Sequence, residues 1–194
     1  MSEIKKFAAI LDANVLFPAP LRDFLLRLAE VGVYSPKWSD PIHDEWIRNL
    51  LIKRPDLKLS QLNKVREAMD GAFAEANVTG FKSLITGLSL PDEDDRHVLA
   101  AAIKSEAELI ITFNKKDFPP KNIQKFKIQI LDPDEFVLRL LQIDLPKVLQ
   151  AFLNQVNALK KTPQTIEQVL VTLGNCGLVK SVVIIRDLLS PADI

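Results

Sequence analysis

The chain has 194 residues, nearly half of them hydrophobic (47%), enough for one domain with an appendage rather than two full domains. Lysine plus arginine and aspartate plus glutamate both number 25, so net charge is zero and any nucleic-acid partner must be held by a local basic patch. A single cysteine, Cys176, excludes an intrachain disulfide and a cysteine-based metal cage, as suits a reducing cytoplasm; no apolar run reaches membrane length, and Phe7 to Leu11 is too short for a secretory signal.

In chain order, Phe7 to Leu11 is an unbroken apolar run that stops at Asp12. A strand without polar alternation is expected to be covered on both faces, as in a parallel sheet between helix layers. Asp12 and Asn14 then lie beyond its carboxyl end, where open α/β sheets bind ligands. Taken alone, Asp12 reads equally as a turn or capping residue. A helix is expected over Pro18 to Glu30, a strand at Val31 to Tyr34, and a helix from Ser39-Asp40-Pro41 with Ile42, Trp46 and Leu50 on its inner face. Glu45 borders that face, and His43 reads as a surface or capping residue. Ser60 is expected to cap a helix running to about Asn77, whereas Phe81 to Leu90 reads as strand, loop or both.

The stretch from Pro91 to Pro119 carries the most chemistry. Four consecutive acids, Asp92 to Asp95, precede Val98, Leu99, Ala102 and Ile103, and the helical period puts Asp95 at the head of the apolar stripe, with Asp92 or Asp94 as substitutes. The plain alternative is that these acids only stabilise a helix N-terminus. Leu109 to Thr112 reads as a buried strand leading into Asn114 and Asp117. A further strand is expected at Lys127 to Leu131 and a helix from Asp132-Pro133 to about Ile143. Beyond Asp144 only helices are expected: one opened by Pro146, one capped at Thr162-Pro163 and stopping at Gly174, and one from about Leu178 to Leu189. The predicted architecture is α/β, a parallel-sheet three-layer α/β/α domain over residues 1–143 with a helical C-terminal extension over 144–194.

Asp12, Glu45, Asp95 and Asp117, joined by Asn114, form the candidate constellation. Crowded carboxylates need a cation or protons, and an all-oxygen set suits Mg²⁺ or Mn²⁺, whose chemistry is water attack on a phosphodiester. Lys115, Lys116, Lys121, Lys125 and Lys127, with Arg96 beside Asp95, form a local basic run that can guide phosphates, or simply a solvated loop. A phosphotransfer protein on a similar sheet would need a second acid near Asp12, which is followed instead by Ala-Asn-Val.

LDANVL, the helix with Glu45, DRHVLAAAI and ITFNKKDF, in this order, resemble the PIN domain, and in detail the VapC-like toxins of type II toxin–antitoxin systems. The resemblance covers roughly the first 140 residues; the helical tail with its GNCGL turn is similar to the C-terminal extension of one subgroup. It implies a metal-dependent endoribonuclease that cuts tRNA or ribosomal RNA and inhibits translation, a cognate antitoxin partner, a homodimer and a cytoplasmic location. Its implied roles are Asp12, Asp95 and Asp117 as metal ligands, Glu45 as ligand or water-orienting base, and Thr112 and Asn114 as hydrogen-bonding supports, with the helix-start ligand at Asp94 or Asp95. The alternative is a non-catalytic PIN-like module that binds RNA or protein.

Overall fold

Two short apolar central strands, flanked by an edge strand on each side, form a four-stranded parallel sheet of order β2-β1-β3-β4 in the computed structural model, which describes residues 7–189. The elements run β1 (Ala8–Leu11), α1 (Ala13–Leu16), α2 (Ala19–Glu30), β2 (Ser35–Lys37), α3 (Asp40–Lys53), α4 (Leu59–Ala72), α5 (Lys82–Ile85) and α6 (Arg96–Lys104). They continue with β3 (Leu109–Ile111), α7 (Pro120–Ile123), β4 (Gln129–Leu131), α8 (Pro133–Ile143), α9 (Leu145–Ala158), α10 (Ile166–Asn175) and α11 (Val179–Leu189). Ala9, Ile10 and Leu11 in β1 and all of β3 are buried, the pattern expected of strands enclosed on both faces. In register, Ala9 lies beside Leu109 and Leu11 beside Ile111. β2 lies on one side of β1 and β3 on the other, so the strand order reverses between β1 and β3. Open α/β sheets bind ligands beyond the carboxyl ends of their strands at such a point.

Two compact units divide the chain. One holds the sheet and consists of residues up to Phe17 and Tyr34–Leu131; the other is all-helical and consists of Pro18–Val33 with the chain from Asp132 onward. α2 and α8 thus belong to the helical unit, a different partition from a single cut after residue 143. In that unit α2 packs along α9, with Phe24 edge-to-face on Phe152 at 6.3 Å and Gln155 donating to the Pro20 carbonyl at 2.9 Å. The carboxylate of Asp134 on α8 caps α11, accepting from the backbone N–H of Lys180 and Ser181 and from the Ser181 hydroxyl. Among the described residues no helix is long and apolar enough to cross a membrane.

Several boundaries differ from the sequence expectation for local reasons. The second strand begins at Ser35, not Val31, because Val31 and Gly32 still donate to α2 carbonyls and Gly32, at φ 78°, closes the helix in the left-handed region. α4 starts one residue before Ser60, which therefore lies inside the helix, and Gln61 accepts the Lys58 N–H. It ends at Ala72, after which the chain turns so that Ala76 and Val78 bond the backbone of Trp38 and extend the β2 edge. Phe81 to Leu90 holds no strand, only the single turn α5 within a loop. The cap of α10 is Thr165, in a reciprocal pair with Gln168, rather than Thr162, and the helix runs one residue past Gly174.

His43 is a clear departure, being fully buried rather than at the surface. Its Nδ1 accepts the Trp46 indole N–H at 3.0 Å, which leaves Nε2 to carry the proton and donate to Asp70 at 3.3 Å, and Asp70 also accepts the Trp38 indole N–H at 2.8 Å. Burial lowers the His43 pKa below its ordinary value, so the neutral ring is the native form. This group's stability contribution is therefore complete above about pH 6.5 and is lost as pH falls below that value. His43→Ala, which opens a cavity and orphans the Trp46 donor, is expected to cost about 2–4 kcal/mol in urea unfolding at pH 7.5. The parent should lose more stability than the variant between pH 7 and 5.5, and equal pH slopes would contradict the assignment.

Candidate functional site

The candidate site is built from the residue that follows each central strand. After β1 the Asp12 backbone N–H bonds the Ile111 carbonyl of β3 at 3.1 Å, which draws the two strand ends together. Asp12 caps the short helix α1: its Oδ1 accepts the Ala13 N–H at 2.7 Å. Its Oδ2 accepts both the Thr112 hydroxyl and the Asn14 amide N–H, each at 2.7 Å. The capping reading and the site reading are thus both met by one side chain. Thr112, fully buried, also accepts the Asn14 amide at 2.9 Å and the Asn114 backbone N–H at 3.0 Å. Asn14 Oδ1 completes the mesh by accepting the Phe113 N–H at 3.0 Å.

The other acids approach this centre from three elements. Glu45 lies half-buried on α3, which packs against α1, with its Oε2 3.7 Å from His97 Nε2 on α6. Asp95 lies half-buried at the cap position of α6 yet makes no capping hydrogen bond, so its carboxylate remains available. Asp94 is exposed, and Asp92 is spent on a local turn, accepting the Asp94 N–H at 2.9 Å. Asp117 is half-buried at the end of a 3-10 turn, Lys115–Asp117, that follows the β3 end.

Charge ties these residues together. The Asp95 carboxyl is pushed up to about 7, first by burial and then by the negative charges of Asp12, Asp92, Asp117 and Glu45. The Asp12 pKa is raised mainly by burial, with Glu45 adding to the rise; the Thr112 hydroxyl, the Ala13 N–H and His97 oppose it. Among the described residues no three acid, histidine or cysteine side chains are already drawn into an ion-binding group. The donor chemistry nevertheless suits a hard divalent cation: four carboxylates, no sulfur, and a mutual repulsion that added positive charge relieves.

The sequence-predicted basic groups fare unequally. Arg96 is engaged by Glu93, through the carbonyl at 3.1 Å and the carboxylate at 2.5 Å, so it is not held ready for phosphate. Lys115, Lys116 and Lys121 are exposed, as are Lys125 and Lys127. The Asn114 contribution seen here is a backbone one.

Three residues outside the predicted set belong to this neighbourhood. Asn14 was visible as a polar residue past the first strand, but its bonds to Thr112 and Phe113 cross 98 and 99 positions of sequence. His97 sits in DRH two residues after Asp95, with a buried Nδ1 that has no hydrogen-bond partner. Phe113 leaves 42% of its surface exposed beside Asp12's supports.

A parallel sheet with acids gathered where its strand order reverses is the arrangement of the PIN domain, and residues 8–116 match that family's model. The chain belongs to the PIN-domain family. Residues 133–187 match a second model, the VapC50 C-terminal domain, which accounts for the helical region. Over 95 residues the chain is 36% identical to a Mycobacterium tuberculosis (strain ATCC 25618 / H37Rv) protein named "Putative ribonuclease VapC50". That match spans 49% of this chain and 56% of the relative, so the chain covers about half the length of the curated protein it resembles. No solved structure matches the chain.

Proposed function

We propose that this protein is a metal-dependent endoribonuclease of the VapC type, the toxin of a toxin–antitoxin pair, which cleaves tRNA or ribosomal RNA and is held in check by a cognate antitoxin. The observation that carries the reading is the convergence of negative charge on Asp95 from Asp12, Asp117 and Glu45. Four segments distant in sequence contribute these carboxylates at a cost in stability, which is characteristic of a functional site. The similarity to a protein named as a ribonuclease supports the choice of phosphodiester chemistry.

In this reading Asp12, Asp95 and Asp117 hold Mg²⁺ or Mn²⁺. When bound, the cation supplies Lewis-acid charge and lowers the pKa of water. Asp12 is pre-oriented by its three hydrogen bonds, so little reorganisation is needed on binding. Glu45, whose Oε2 lies 3.7 Å from His97 Nε2, would orient the attacking water and take its proton. Lys115, Lys116 and Lys121 attract the RNA backbone, and the exposed ring of Phe113 offers a stacking face for an unpaired base. The protein acts as a homodimer.

The test is cleavage of total cellular RNA by the purified chain with Mg²⁺ or Mn²⁺, with 5′ ends mapped by sequencing. Cleavage is expected with either ion and should fall at least about 100-fold with excess EDTA, returning when the metal is restored. Tight RNA binding with no metal-dependent cut would instead favour a binding module. Growth arrest on controlled expression, relieved by the cognate antitoxin, tests the toxin role separately.

A further inference from the structure

Of the ten exposed large apolar side chains among the described residues, six lie on α10 and α11 of the helical unit: Ile166, Val171, Val179, Val183, Ile184 and Leu188. On α11 the exposed positions are 179, 180, 183, 184, 187 and 188, while Ser181, Val182 and Ile185 face the unit's interior. Lys180 and Asp187 are the charged members of that exposed face. They lie two helical turns apart, about 10 Å along the axis, too far to pair with each other. Arg186, at the border of the face, is already held by a bidentate bridge to Glu167 on α10 at 2.8 and 2.9 Å.

Read from its two ends this face shows the same order of apolar and charged positions with the sign of the charge exchanged: apolar, cation, apolar, apolar, anion, apolar from Val179, and apolar, anion, apolar, apolar, cation, apolar from Leu188. We propose that α11 is a self-pairing surface on which two copies of this chain dock their α11 helices antiparallel, about a two-fold axis between Val183 and Ile184. This pairing sets Val179 against the partner's Leu188, Val183 against the partner's Ile184, and Lys180 against the partner's Asp187, with each contact repeated by symmetry. A parallel pairing would oppose lysine to lysine and aspartate to aspartate, so the charge order selects the antiparallel one. The balanced face also offers little to RNA, which needs a surplus of cations. Two short helices make a modest interface, consistent with a dissociation constant on the order of 1–100 μM.

The inference deepens the homodimer reading by naming the surface, and it can fail separately from it. Sedimentation velocity of the full chain from about 1 to 200 μM should show a reversible monomer–dimer equilibrium. Val183→Asp should raise the dissociation constant at least about 30-fold with little change in the melting curve, because Val183 is 48% exposed and lies on the outer face of α11. Lys180→Glu and Asp187→Lys should each weaken the dimer about tenfold. An equimolar mixture of these two variants should regain the parent's affinity, since both cross-pairs are then of opposite sign. A parent that stays monomeric overturns this interface and the homodimer reading together. A dimer undiminished by Val183→Asp, or a mixture no tighter than its components, overturns the α11 pairing alone.

Discussion

Asp12→Asn is expected to lower RNA cleavage by about 10²- to 10⁴-fold while the protein stays folded. Asp12 is 3% exposed and accepts three hydrogen bonds, so both its oxygens are committed as acceptors. Asparagine keeps the shape but offers one acceptor and one donor, and the donor must face either the Ala13 N–H or the Asn14 and Thr112 groups. The loss of that bond is offset in part, because a buried carboxylate beside Glu45 is itself costly. The net change in unfolding free energy should stay within about 2 kcal/mol. Asp12→Ala, which orphans the Asn14 and Thr112 donors outright, should cost more. Parallel cleavage assays and thermal melts separate the two effects; an Asp12→Asn protein that cleaves at the parent's rate would move the chemistry elsewhere.

Asp95→Asn should abolish cleavage to a similar degree and yet make the metal-free protein more stable above neutral pH. The carboxyl of Asp95 has a folded pKa of about 7 against an ordinary value of 3.8. Because the folded value is raised, the folded state holds the proton more tightly than the unfolded one. Stability from this group is therefore complete below about pH 4 and is lost as pH rises through about 7. Asparagine mimics the protonated form at every pH and removes that loss. Allowing for solvent screening of a half-exposed group, the gain at pH 8 should be about 1 kcal/mol, with none at pH 4. Added Mn²⁺ should raise the parent's melting temperature at pH 8 and affect the variant much less. Destabilisation by Asp95→Asn at pH 8, or an equal Mn²⁺ response in both proteins, would refute the role given to this carboxylate. Here a functional group acts against stability, as expected where like charges await a ligand.

The arrangement of these acids explains which features could be read from the chain alone. β1 and β3 were legible because a short apolar run closed by polar residues is a local signal, present in Phe7 to Asp12 and again in Leu109 to Asn114. The inward register of Asp95 followed from the 3.6-residue period of Val98, Leu99 and Ala102, all fully buried. Proline-marked helix starts at Pro41, Pro133 and Pro146 likewise depend only on neighbouring residues. The PIN family itself was recognisable from ITFNKKDF and DRHVLAAAI, and the match over residues 8–116 agrees.

What only the tertiary structure decided involves partners far apart in sequence. Asn14 takes its position from Thr112 and Phe113. His43 looked like a surface histidine because nothing near it signals burial; Trp38 and Asp70, with Trp46, make it a core residue. The membership of α2 in the helical unit depends on its packing along α9, which starts more than a hundred residues later. Local pattern determined where the chain turns, starts a helix or buries a strand, because those choices are made by neighbours within a few residues. Which charges meet, which polar groups are satisfied and how far a carboxyl is pushed depend on desolvation and on pairings across the sheet, and those exist only once the chain has folded.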